Sequence, residues 1–237
     1  MVFAIVLLAA VLPAFVILYF IYRKDNLQHE PAGKILAAFG LGALSVLVSF
    51  CISIPLLHLG VIPAHPATVI QVIESAFWGA AIPEEIAKFV LLWLFLRNNR
   101  YYDEWVDGIV YAACIGLGFA ALENIEYLFH NIGSWAFIAA LRGVISVPAH
   151  FFFAVTMGYF YSKAKFGDPS KKVLNVGLAV LIPIILHGLF DFLVIISRGT
   201  SYFVAFLCLL GGLYLFMAVK SRRYYTKHYQ KDLQNKA

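Results

Sequence analysis

The stretch WGAAIPEEIAKFVLLWLFL, residues 78–96, decides what kind of protein this chain is. It is apolar enough for hydrocarbon except at Glu84, Glu85 and Lys88, in its middle. An ionisable residue inside a bilayer costs about 2.5–3.5 kcal/mol on insertion scales and normally faces a bundle interior. Three in one helix turn therefore need either a partner or a job.

The rest of the chain confirms the setting. Of 237 residues 62% are hydrophobic and 13% are charged, whereas soluble domains carry about 25% charged residues. The expected architecture is all-α and polytopic. Seven stretches have the roughly 20 apolar residues that span a bilayer: 2–22, 35–57, 69–96, 107–128, 135–162, 173–197 and 201–219. The whole of 1–237 reads as one membrane domain with an uncleaved first span, since the first charges, Arg23 and Lys24, follow the apolar run. Fifteen Lys and Arg fall on one side of these spans against Arg198 alone on the other. The positive-inside rule then predicts N-out and C-in. The basic tail, 220–237, is expected to rest on anionic lipid and to bind no nucleic acid. Cys51, Cys114 and Cys208 stand singly in apolar runs and read as packing residues.

Polar residues recur in the spans that follow. Glu123 and Asn124 lie in the fourth, Arg142 and His150 in the fifth, His187 and Asp191 in the sixth. Glu84 with Lys88, and His187 with Asp191, are four residues apart and share a helix face. Adjacent Glu84 and Glu85 diverge by about 100° on a helix, so one is expected to serve water and the other structure. Arg142 is expected to be a counter-ion, and Glu126, His130 and Glu74 to be peripheral. Pro83 precedes the glutamate pair and Pro148 precedes His150, which predicts a kinked or broken helix at both places. Irregular backbone at this depth is tolerated where it lines a cavity or water. Counting about 1.5 Å per residue from Arg97 puts Glu85 in the outer half of the bilayer. The expectation is a wet pocket built by four helices and open outwards.

Four motifs in order, PEEIAKF, GFAALEN, SVPAHFFFA and HGLFDF, resemble those of the PrsW family of bacterial intramembrane proteases over residues 75–192. The resemblance implies peptide-bond hydrolysis in a bacterial plasma membrane. It also implies a single-span anti-sigma factor as substrate, cut on its extracytoplasmic side during envelope stress. Carried over by motif, Glu84, Glu85, Lys88, Glu123, Asn124, His150, His187 and Asp191 are the expected catalytic set. The CAAX prenyl proteases and the Abi group are more distantly similar. They have arginine in the first motif and histidine in the second, where this chain has Lys88 and Glu123.

Two mechanisms stay open. Without metal, Glu84 or Glu85 is the base, His187 and Asn124 donate to the oxyanion and Asp191 orients His187. With Zn²⁺, Glu123, His150 and His187 are the expected ligands, although no H-E-x-x-H is present. The rival readings are an ion-coupled transporter, for which paired inverted repeats are missing, a non-catalytic membrane scaffold, and a CAAX-type peptidase.

Overall fold

The computed structural model describes residues 2–24 and 30–197, together with residue 212. Among them there is no strand. The helices are α1 (Val2–Lys24), α2 (Ala32–His58), α3 (Val69–Glu74), α4 (Ile82–Leu96), α5 (Trp105–His130), α6 (Trp135–Val144), α7 (Ser146–Phe166) and α8 (Lys172–Ile196), with a π-helical segment, Ser75–Ala81, joining α3 to α4. Five helical stretches are long and apolar enough to cross a membrane: Val2–Arg23, Ala32–His58, Trp105–His130, Ile132–Phe166 and Pro169–Ile196. The run 69–96 is helical throughout, but it changes winding midway and carries the three central charges. The expected seventh span, 201–219, and the tail after it lie outside the described residues.

The backbone is irregular near both prolines: a change of winding before Pro83 and a break before Pro148. Ahead of Pro83, the Ile82 N–H bonds Phe77 O five residues back, the signature of π winding, a device common at functional sites. Pro83 then occupies the first turn of α4, where a missing N–H costs least. Pro148 cannot donate to the carbonyl of Val144, and α6 ends at Val144. α7 restarts at Ser146, so the expected fifth span is two helices meeting at Ile145. Elsewhere the ends follow local chemistry. Gly60, at φ 73°, closes α2 in the left-handed conformation that glycine tolerates. Thr68 and Gln71 form a capping box at α3, and Glu104 with Asp107 another at α5.

α5 is the central helix. In its membrane-length window 83% of residues are buried, against 22–33% in the other four. It packs against α7, α2 and α1, and small residues set how closely. A Cβ on Gly118 would come within 1.9 Å of Phe39 O in α2, and one on Gly42 of α2 within 2.0 Å of Ile115 O in α5. Lipid offers no hydrophobic drive for helices to associate, so such close backbone approach carries much of the packing energy. Gly118→Val is expected to destabilise the bundle by about 3 kcal/mol, the upper range for overpacking, because a backbone carbonyl cannot move aside. A melting temperature in detergent equal to that of the wild type contradicts this contact.

Candidate active site

Five helices bring the expected residues together. Lys88 Nζ lies 2.8 Å from Glu85 Oε1 and 3.5 Å from Glu84 Oε2. It also lies 3.1 Å from His150 Nδ1 and 3.7 Å from the centre of the Phe119 ring. His187 Nδ1 is 2.8 Å from the same Glu85 Oε1, while its Nε2 faces Asp191 Oδ2 at 3.3 Å and Glu84 Oε2 at 3.8 Å. On the far side, His150 Nε2 meets Glu123 Oε2 at 2.8 Å. Arg142 donates to Glu123 Oε2 and to Asn124 Oδ1, both at 2.7 Å. Asn124 Nδ2 donates to Ala10 O of α1. One connected polar network therefore runs from α8 through α4, α7, α5 and α6 to α1.

The backbone explains the convergence. Gly188 leaves room for Phe77 of the π segment, where a Cβ would meet the ring at 2.4 Å. That contact seats α8 one residue from His187 against the entrance to α4. Phe153 stacks on the His187 ring, centroids 5.0 Å apart, and fixes its plane. Gly116 admits the His150 carbonyl, which a Cβ would meet at 2.7 Å, so α7 lies close against α5.

Hydrogen-bond logic assigns a tautomer. An ammonium only donates, so His150 Nδ1 accepts from Lys88 and its Nε2–H donates to Glu123. Glu123 thereby orients His150 in the manner of a carboxylate behind a histidine ligand. From sequence, Glu123 is itself an expected metal ligand beside His150 and His187. In the structure the donor atoms lying within 4.8 Å of one another belong to Glu84, Glu85, His150 and His187. Glu123 contacts this group through Nε2 of His150, and Arg142 holds its carboxylate from the other side.

Other expectations shift in the same way. Glu84 and Glu85 do not diverge: their side chains are long enough for both to reach Lys88 and His187. The expected open pocket is a packed cluster, with Glu85 and Lys88 fully buried and His150 and His187 nearly so. Its partly open edge is made by Glu84, Glu123 and Asp191, with side chains 13%, 15% and 24% exposed. The Asn124 amide is committed to Ala10 and Arg142, away from the four-donor group. Glu126 and His130 are exposed, outside the network.

Arg142 is more than the lone counter-ion expected, because it fixes two motif residues at once and covers Tyr127 at 3.8 Å. Its position among apolar residues was the available signal. Arg142→Gln should destabilise the protein by about 3 kcal/mol, the low end for breaking a buried pair, since Glu123 is left uncompensated. Glu123→Gln/Arg142→Gln should recover part of that loss in a double-mutant cycle. Additive losses would show that the pair is not coupled.

A helical membrane bundle that buries carboxylates, imidazoles and a lysine in one network carries a functional site rather than a passive anchor. Residues 30–219 match the family described as PrsW family intramembrane metalloprotease, and the chain belongs to that family. It is 35% identical over 192 residues to Protease PrsW of Clostridioides difficile, covering 80% of this chain and 79% of that one. Identity to Protease PrsW of Geobacillus kaustophilus is 34% over 196 residues, 83% and 82% of the two chains. For Protease PrsW of Bacillus subtilis it is 32% over 215 residues, 90% and 94% of the two. No solved structure matches significantly.

The family description implies a metal, and the donor set fits one. Two imidazoles and two carboxylates are the N/O ligands that zinc takes. Glu85 Oε2 is buried without a hydrogen-bond partner among the described residues, an arrangement that normally has a reason. Among the described residues, four carboxylates (Glu84, Glu85, Glu123 and Asp191) face two fixed cations, Lys88 and Arg142, which leaves negative charge for a further cation to neutralise.

Proposed function

We propose that this chain is a glutamate-dependent intramembrane endopeptidase that cuts a single-span membrane protein, an anti-sigma factor, on the extracytoplasmic side of the bacterial plasma membrane. The observation that supports it most is the closure of Glu84, Glu85, His150 and His187 into one buried group around Lys88. The side of cleavage rests on the N-out, C-in orientation given by the charge asymmetry.

Hydrolysis needs a base for water, donors for the oxyanion and an acid for the leaving amine. Glu85 is the proposed base. Its Oε1 is pinned by Lys88 and His187, which leaves the unpartnered Oε2 to take a proton from water. The water oxygen bonds the scissile carbonyl carbon, and the carbonyl π pair moves to oxygen. Lys88 or His187 donates to that oxyanion. When the carbonyl re-forms, the C–N bond breaks and the proton held by Glu85 passes to the leaving amine. Glu84 and Asp191, at the open edge, would admit water and orient His187. If a divalent ion is bound, Glu84, Glu85, His150 and His187 are the residues that would hold it, and the chemistry supplied there is Lewis-acid polarisation of the carbonyl and the water.

Purified protein co-reconstituted with a single-span anti-sigma factor tests the reading, with products identified by mass spectrometry before and after chelation. One new pair of termini near the outer membrane boundary is the expected result. An intact substrate under both conditions, with correctly folded protein, overturns the assignment. Activity that survives in metal-free protein removes the metal alone.

A further inference from the structure

A second site lies at the opposite end of α4 from the glutamates. A cleft of about 570 Å³ opens between the ends of α4 and α7 and the start of α8, within the usual range for ligand sites of about 300–1,000 Å³. Arg97 at its rim is nine residues beyond Lys88, about 13 Å along the helix; the wall reaches back to Phe89, next to Lys88, but none of its lining residues belongs to the polar network. Its wall is apolar and aromatic, with Phe89, Trp93, Tyr161 and Val176. Its rim carries three cations, Arg97, Lys165 and Lys172, and among the described residues no acid lines it.

Among the described residues no carboxylate lies within ion-pair distance of those cations, and the salt bridges all lie in the glutamate–histidine network. Arg97 stacks over Trp93 at 5.1 Å, and Lys165 lies over Tyr102 at 3.8 Å while donating to the Tyr102 carbonyl. Asp103 and Asp107 add negative charge near Lys165 without pairing with it, and two of the nearby acids are engaged by backbone. Asp168 accepts from Ser170 N and Oγ, and Asp107 accepts from Asp103 N and Glu104 N. The cleft also sits among interfacial aromatics, with Tyr102 packed on Tyr161 and Phe166, and Trp105 on Tyr159. Such rings settle at headgroup level.

From this charge and shape we infer that the cleft binds an anionic phospholipid. The phosphate sits on Arg97, Lys165 and Lys172, and an acyl chain lies along Phe89, Trp93 and Val176. Basic pockets between membrane helices take such headgroups, and each Lys or Arg near the surface contributes about 1 kcal/mol. The chain's own 220–237 segment has the wrong sign for this rim, with six Lys and Arg against Asp232. A lipid held here would tie together α4, α7 and α8, the helices that deliver Glu85, His150 and His187.

The test uses the full chain in detergent, titrated with phosphatidylglycerol, phosphatidylcholine, glycerol 3-phosphate or inorganic phosphate, and read by native mass spectrometry and melting temperature. Phosphatidylglycerol should bind and raise the melting temperature, while the other three should not. Arg97→Gln/Lys172→Gln should melt like the wild type without lipid and lose about tenfold or more in apparent lipid affinity, as expected for two surface cations. Phosphatidylglycerol with brominated acyl chains should quench wild-type tryptophan fluorescence more than that of Trp93→Phe. Equal binding of phosphatidylcholine, an unchanged double variant, or quenching indifferent to Trp93 would each overturn the inference. Binding of free phosphate as tight as that of lipid would reduce the cleft to an anion site and also overturn it.

Discussion

Glu85→Gln should lower the rate of peptide-bond hydrolysis by about 10²–10⁴-fold, the range for losing a general base, while the protein stays folded. Glutamine keeps the volume and one carbonyl oxygen, so a hydrogen bond from Lys88 or His187 can still be made where Oε1 now accepts both. What disappears is the proton-accepting charge on Oε2, the buried oxygen without a hydrogen-bond partner among the described residues. Glu84→Gln should cost less, because Glu84 lies at the edge, 3.5 Å from Lys88 and 3.8 Å from His187. Rates for both variants on the reconstituted substrate, beside their melting temperatures, decide the matter. If Glu85→Gln retains a tenth of wild-type activity or more and Glu84→Gln does not, the two roles are reversed.

Lys88→Met should raise the affinity for zinc by about tenfold or more, a gain of about 1.4 kcal/mol. The ammonium already touches three of the donor atoms that an ion would use: Glu85 Oε1, Glu84 Oε2 and His150 Nδ1. Two cations cannot be served by the same lone pairs in a buried space, so zinc and Lys88 compete. The same substitution leaves two carboxylates without their nearest cation, at a cost of about 3–5 kcal/mol in metal-free protein. The variant should therefore melt below the wild type without metal and recover more than the wild type when zinc is added. Equilibrium dialysis with metal analysis gives the affinity, and thermal melts give the linkage. Equal zinc affinity in the two proteins would mean that Lys88 stands outside the ion's coordination space.

The sequence carried the intrahelical half of this site. Three- and four-residue intervals place Glu85 and Glu84 beside Lys88, and His187 beside Asp191, on any α-helix. Prolines marked where helices would kink or break, and the structure puts a π segment before Pro83 and a restart before Pro148. What spacing cannot carry is rotation and depth of one helix against another. That is why Arg142 reads from sequence as a lone counter-ion, whereas in space it holds Glu123 and Asn124 together.

By itself, then, the sequence determined an all-helical membrane protein with ionisable groups at fixed helical intervals, because hydropathy and helical periodicity are local properties. Only the tertiary structure decided which groups touch: that Glu123 serves His150 rather than joining the donor group, and that Asn124 is tied to α1. Those choices follow from how closely α5 approaches α2 and α7, which glycines at 42, 116 and 118 permit. Contacts of that kind join residues up to 114 positions apart, and no local pattern in the chain encodes their register.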